Sequence, residues 1–259
     1  MPSPLGAHAS KAGAVRDLLA PKGRREQGRF LFEGPTLLAE ALRSGAPVSE
    51  IFVTRAALQN NADVADFEAR GAAVYVVDER TAAKISDLET PTGLVAVAPI
   101  AVRPLESLLP GARLVLALAA LSDPGNAGTL LRSAEAFGAS AAVFGSDGVD
   151  PHHPKVVRAA MGTIFRLPLA TADPETLSAA ARAAGLEMIG LEASGEPLDA
   201  EPWARPCVVV VGHERRGLGP WGPLCARKVA IPMRSPTESV NAAVAGSIAL
   251  YEAGKRHLG

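Results

Sequence analysis

Residues 121–138, LSDPGNAGTLLRSAEAFG, set a Pro-Gly pair, an asparagine and two glycines against a helix-periodic run that carries one arginine on its early turns. Pro124-Gly125 forces a turn, and Gly128 removes a side chain where the backbone enters the helix, so unpaired N–H groups lie open to an anion or a ribose. Asp123 or Asn126 caps that helix. A second stretch, GHERRGLG at 212–219, has glycines at 212, 217 and 219, which let the backbone approach a flat ligand closely. It is neither a Walker loop nor a G-x-G-x-x-G turn, so a nicotinamide dehydrogenase fits poorly. Glu214 either pairs with Arg215 or Arg216 on the surface or belongs to a site. A third stretch, IPMRSPTESVN at 231–241, leads into a closing helix at whose entrance Ser239 or Asn241 serves as N-cap. Two polar side chains there are more than capping needs.

Loops of this kind need a sheet to present them. From residue 29 short apolar runs alternate with helical segments, the pattern of α/β packing. RFLFE (29–33), EIFVT (50–54), AVYVVD (73–78) and GLVAVA (93–98) read as strands, with helices at 35–45, 56–70 and 79–87 between them. Leu38, Ala41 and Leu42 give the first helix one apolar face, and Gly45 ends it. The proline-bearing stretch 99–112 restarts the pattern, which predicts an N-terminal domain over 1–100 and a C-terminal domain over 112–259. Strands of the second domain are expected at 113–119, 141–145, 186–191 and 207–212. PCVVVVG is apolar without alternation, as suits a parallel strand covered on both faces. Mostly parallel sheets with flanking helices bind ligands at the carboxyl ends of their strands, where these loops fall. In the closing helix Val240, Val244, Ile248 and Tyr251 recur at helical spacing and predict a buried stripe.

A chain of 259 residues with 48 % apolar and 20 % charged residues is long enough to bury one large core or two modest ones. Its net charge of −1 excludes a protein that coats nucleic acid nonspecifically, but leaves room for a local basic patch. Lys11, Arg16, Lys22, Arg24, Arg25 and Arg29 face only Asp17 and Glu26 along 11–29, so residues 1–29 read as a basic arm or as a solvated tail. Cys207 and Cys225 fit neither a metal spacing nor a disulfide framework and are packing residues, with no metal expected. No apolar run reaches membrane-spanning length, and the N-terminus lacks a secretory layout, so a cytoplasmic location is expected.

Taken in order and spacing, LSDPGNAGTLLRSAEAFGA, VVGHERRGL and IPMRSPTESVNAAVAGSIALYEA resemble the three signature motifs of the SpoU/TrmH-type RNA ribose 2′-O-methyltransferases of the SPOUT class. HPKVVRAAMGTIFRLP (153–168) is similar to the family's stretch between the first and second motifs. FLFEGPTLLAEAL (30–42) is similar to the ribosomal-protein-like RNA-binding domain that precedes the catalytic domain in many members.

The resemblance implies a knotted, trefoil parallel sheet, a homodimer, and transfer of the methyl group of S-adenosylmethionine to a ribose 2′-hydroxyl of structured RNA. It favours 23S-type ribosomal RNA over transfer RNA, with a non-catalytic assembly factor on the same fold as the rival from another class. By position, Gly212, Ile231, Met233, Ser239 and Val240 match the cofactor cradle, and Asn126, Arg132, Glu214 and Asn241 the polar active-site positions. Asn126 and Asn241 would orient the ribose and the donor, and Glu214 would fix Arg132 or a loop amide. Ala160 and Ala243 depart from the family pattern, standing where many relatives carry a hydroxyl. Arg132 is the family's proposed hydroxyl activator, yet a guanidinium is a poor base at neutral pH. Its role is therefore read as a cation that binds the adjacent phosphate and stabilises the developing alkoxide. With 4 % aromatic residues, recognition of a folded RNA shape is favoured over base stacking.

Overall fold

The computed structural model describes residues 3–4, 9–200, 203, 205–233 and 240–255, with side chains from residue 11 onward. The chain forms two compact units: Met1–Ile100 together with His152–Arg166, and Ala101–Pro151 together with Leu167–Gly259.

In the first unit the elements run β1 (Ser3–Pro4), α1 (Ala9–Asp17), α2 (Pro21–Gln27), β2 (Arg29–Glu33), α3 (Pro35–Arg43), β3 (Glu50–Thr54), α4 (Arg55–Gln59), α5 (Asp63–Ala69), β4 (Ala73–Val77), α6 (Glu79–Lys84) and β5 (Leu94–Pro99). The strands form a mixed sheet in the order β1-β4-β3-β5-β2, with β5 antiparallel to both β2 and β3. Alternation along β2 divides its side chains: Leu31 joins Phe52, Val95 and Val97 in the core that buries Val15 and Leu18. Phe30 and Phe32 meet Phe165, and Phe30 also meets His152, so the 152–166 segment covers the second face. Arg158 and Arg166 tie that segment to Asp87 and Glu40 at 3.2 and 2.7 Å.

Two expectations are revised in this unit. The helix expected over 56–70 is two helices, because the Asn60 and Asn61 amides donate back to the carbonyls of Ala56 and Ala57 and end α4. The basic stretch 11–29 is folded rather than a tail. Arg24 is buried, donating to the carbonyls of Leu18 and Leu19, while Lys11 bonds the Tyr75 hydroxyl and Arg29 pairs with Glu50 at 2.7 Å. Arg16 and Arg25 remain as exposed charges.

The second unit holds α7 (Leu105–Leu108), β6 (Leu114–Leu118), α8 (Pro124–Ala136), β7 (Ala141–Gly145), β8 (Leu169–Ala172), α10 (Pro174–Ala183), β9 (Glu187–Pro197), β10 (Cys207–Val211), β11 (Arg227–Ala230) and α11 (Ala242–Gly254). Helix α9 (Pro154–Ala159) falls between β7 and β8 in the chain but belongs to the first unit. All pairings in the order β11-β9-β10-β6-β7-β8 are parallel. Every residue of β6, β7 and β10 is buried, as central strands covered on both faces require. The short strand β8, LATA, escapes sequence reading because it is too brief to show a period, and β9 runs to Pro197 rather than 191.

The strand order decides where loops gather. The chain moves outward through β6, β7 and β8, then crosses to β9 and returns through β10 to sit beside β6. The carboxyl ends of β6 and β10 are thus neighbours at the point where the order reverses.

The apolar stripe of α11 is not buried. Val240, Val244, Ile248 and Tyr251 are 40, 49, 38 and 50 % exposed. The opposite face, Ala243, Gly246, Ala249, Leu250 and Ala253, packs inward instead. Small side chains win that contact because they let the helix axis come close: a Cβ on Gly246 would lie 2.4 Å from Leu130 Cδ2 and 2.9 Å from Val211 Cγ2.

Candidate active site

The site begins at the entrance of α8. Asp123 is its N-cap, its carboxylate accepting from the Asn126 N–H at 2.7 Å, and Pro124 occupies the first helical turn, where its missing donor costs nothing. Capping by Asp123 frees the Asn126 side chain for other work. Gly128, expected at the helix entrance, is instead buried one turn inside α8. The chain reaches this entrance through Ala120, whose φ of 51° is an uncommon left-handed conformation for a residue with a side chain.

Asn126 joins the three loops. Its amide nitrogen donates to Glu214 Oε1 at 3.0 Å, and its amide oxygen accepts from Asn241 Nδ2 at 3.0 Å. Glu214 also accepts from the Ser122 hydroxyl at 3.0 Å and from the Asp123 N–H at 3.4 Å. Asn241 is the N-cap of α11, its oxygen taking the N–H groups of Ala243 and Val244. An asparagine is suited to the hub because it offers donors and an acceptor on one planar group.

Glu214 therefore bonds the loop amide and pairs with neither Arg132, Arg215 nor Arg216. Burial pushes its carboxyl up, but the bonds from its own backbone, Asn126, Ser122 and Asp123 outweigh burial and hold it below the ordinary glutamate range. It stays an ionised acceptor at neutral pH.

Arg132 stands apart from this network. It lies further along α8, is exposed, and its side chain makes no hydrogen bond or ion pair among the described residues. The structure thus brings together Asn126, Glu214 and Asn241, and Arg132, on the same helix as Asn126, does not join them.

The predicted cradle residues line two adjoining depressions that share Leu191, Glu192, Ala193, Val240 and Ala245. One, of about 520 Å³, adds Ile231 and Met233; the other, of about 1230 Å³, adds Gly212, Glu214 and Asn241. Ser239 lies outside the described residues. Gly212 does not open space for a ligand: a Cβ there would sit 2.4 Å from the Gly217 carbonyl oxygen, so its lack of a side chain closes the turn on itself. Ile231, Met233 and Val240 give one wall an apolar surface, while the polar network stands on the other.

Ser122 and His213 are site residues that sequence reading did not single out. Each adjoins a residue that it did, and only the turn geometry gives either a partner. Cys207 is buried in β10, and burial pushes the Cys225 thiol up to about 11, so neither is a ready nucleophile. Ala160 and Ala243 are both buried.

Comparison with known proteins matches these elements to a family. The pattern described as the SpoU rRNA Methylase family covers residues 113–251, and an MRM3-like substrate binding domain covers residues 11–96. The chain is 31 % identical to the 23S rRNA (guanosine(2553)-2′-O)-methyltransferase RlmP of Bacillus subtilis, over 94 % of this chain and 96 % of that protein. It is 36 % identical to an uncharacterised tRNA/rRNA methyltransferase of Synechocystis, over 92 and 88 % of the two chains. Among solved structures, the AdoMet-bound rRNA methyltransferase from Sinorhizobium meliloti superposes with a TM-score of 0.86 at 28 % identity, over 100 % of this chain and 98 % of that one. On this agreement of motif, length and fold, the chain belongs to the SpoU rRNA methylase family.

Proposed function

We propose that this protein is an S-adenosylmethionine-dependent methyltransferase acting on a ribose 2′-hydroxyl of 23S-type ribosomal RNA. The observation that carries the reading is the Asn126–Glu214–Asn241 network, which draws the three motif loops to the rim of one two-part depression. The donor set suits the cofactor: an apolar wall at Ile231, Met233 and Val240 for its adenosine, with polar groups alongside. These residues and Gly212 would hold it, Ser239 being assigned by motif position alone. When bound, S-adenosylmethionine supplies a methyl group activated on a sulfonium.

The protein's own part is alignment and charge. Asn126 and Asn241 are fixed by Glu214 and by the α11 cap, so their remaining hydrogen-bonding capacity is preoriented toward the ribose. Such preorientation contributes about 7–11 kcal/mol in well-aligned intramolecular reactions. Arg132 binds the phosphate beside the target ribose and stabilises negative charge growing on the 2′-oxygen. The proton leaves to that phosphate or to water.

The rest of the reading follows the family resemblance. The first unit holds the RNA. The trefoil knot is supported by the insertion of β10 between β9 and the earlier β6, and by the return of α11 onto α8 and β10. The homodimer is supported by the exposed apolar stripe of α11, which water disfavours. No helix among the described residues is long and apolar enough to cross a membrane, and a protein that modifies ribosomal RNA works in this reading in the cytoplasm.

The deciding experiment incubates purified protein and tritiated-methyl S-adenosylmethionine with protein-free 23S ribosomal RNA and, separately, with total transfer RNA, then maps the label. Label at one ribose of the 23S RNA is the expected result. Label in transfer RNA alone would move the substrate, and RNA binding without label would favour an assembly factor.

A further inference from the structure

The turn after β10 sorts its charges by direction. Two backbone bonds between His213 and Gly217, both 2.9 Å, close it, with Gly217 at φ 60°. Inside, His213 Nδ1 accepts the N–H groups of Arg215 at 3.0 Å and Arg216 at 3.4 Å, so the imidazole caps the tip of the turn. Glu214 points back into the three-loop network. Arg215 and Arg216 are exposed, line the larger depression with Glu214 and Asn241, and make no ion pair or side-chain hydrogen bond among the described residues.

Two adjacent guanidinium groups with no carboxylate partner repel one another. Some cations of this unit are neutralised, Arg205 and Arg227 by Glu187 and Lys228 by Glu192, whereas Arg215 and Arg216, like Arg132, are not. The fold instead spends a histidine side chain on holding the backbone of this uncompensated pair at the rim of the depression. A polyanion arriving at that rim relieves the repulsion and gains bidentate contacts, which the forked guanidinium gives to phosphate.

We propose that Arg215 and Arg216 form a clamp for RNA backbone phosphates flanking the methylated nucleotide, distinct from the phosphate assigned to Arg132, with His213 as the positioning residue that presents it. The proposal rests on the function proposed above.

The test measures binding of protein-free 23S ribosomal RNA between about 50 and 200 mM salt, together with methyl-transfer kinetics, for the wild type, Arg215→Ala/Arg216→Ala and Arg215→Lys/Arg216→Lys. Loss of two phosphate contacts should weaken binding about tenfold or more at low salt and flatten the log–log salt slope by roughly 1.4 to 1.8. The loss should fall on KM for RNA rather than on kcat, and the lysine pair should restore most of the slope. His213→Ala should weaken RNA binding in the same direction, since both arginines stay but lose their orientation. S-adenosylhomocysteine affinity, read by calorimetry, should match the wild type in both double-arginine variants.

An alanine pair that binds RNA with wild-type affinity and slope overturns the clamp. So does a fall in S-adenosylhomocysteine affinity in place of RNA affinity, which would assign the arginines to the cofactor. A wild type that neither binds nor methylates RNA would overturn the function itself and the clamp with it, an outcome distinct from failure of the clamp alone.

Discussion

Asn126 touches both other motif loops through one amide, so a change of one heavy atom tests the whole network. Asn126→Asp removes the donor to Glu214 and sets two carboxylates side by side. A misplaced orienting group of this kind costs about 10²–10³ in kcat, and methyl transfer should fall by about that factor while S-adenosylhomocysteine binding stays within a few-fold. For Arg132, the charge reading predicts that Arg132→Lys keeps much of the turnover that Arg132→Ala loses; equal collapse of both in a single-turnover assay would point to fork geometry or base chemistry.

Two carboxylates shift in opposite directions. Glu214, held below the ordinary range, contributes stability that is present above the ordinary glutamate value and lost as pH falls through its depressed folded value, so the network should loosen only in acid. Glu33 is buried in the first unit. Burial raises its carboxyl despite bonds from the Ser86 hydroxyl and the Asp87 N–H. Its charge is therefore a cost at neutral pH that protonation relieves on acidification. Glu33→Gln should leave thermal stability near pH 7 unchanged or raised by up to about 1 kcal/mol, and should reduce its pH dependence, as melting curves across pH would show.

Among elements, α11 shows how two apolar faces compete for one sheet. Its large residues recur at helical spacing, yet its alanines and glycines face inward because the groove between α8 and β10 admits nothing larger at Gly246. Gly246→Ala forces its Cβ against the buried Leu130 and Val211. Overpacking of this kind costs about 1–3 kcal/mol, enough to lower Tm by several degrees against a small gain in helix propensity. Asn126, Ser133 and Asn241 would report the same shift, since Ser133 bonds Ser247 at 2.7 Å and Asn241 caps the helix.

At the scale of the whole molecule, the units do not follow the chain. Residues 152–166 are contributed to the first unit from the middle of the second, and they cover Phe30 and Phe32 with His152 and Phe165. A fragment of residues 1–100 should therefore expose this aromatic face, bind a hydrophobic dye and aggregate, while the full chain does neither. The exposed face of α11 makes a second prediction for the intact protein. Val244→Glu/Ile248→Glu adds charge to residues already in contact with water, so the monomer should fold, and sedimentation should show a dimer dissociated relative to the wild type.

The sequence by itself determined the elements with a strong local signal and the identity of the three loops. A continuous apolar run such as CVVVV suits a parallel strand covered on both faces, and Asn126, Glu214 and Asn241 are marked by residue type and motif position. What it left open were choices between partners that only proximity in space can make, Asp123 rather than Asn126 as the cap and Asp123's amide rather than an arginine for Glu214; for α11 it chose the large face where the structure buries the small one. Hydrophobic periodicity measures whether a face can be buried. Which face is buried depends on the width of the groove that receives it, and that width is set by Leu130 and Val211, residues from other elements of the chain.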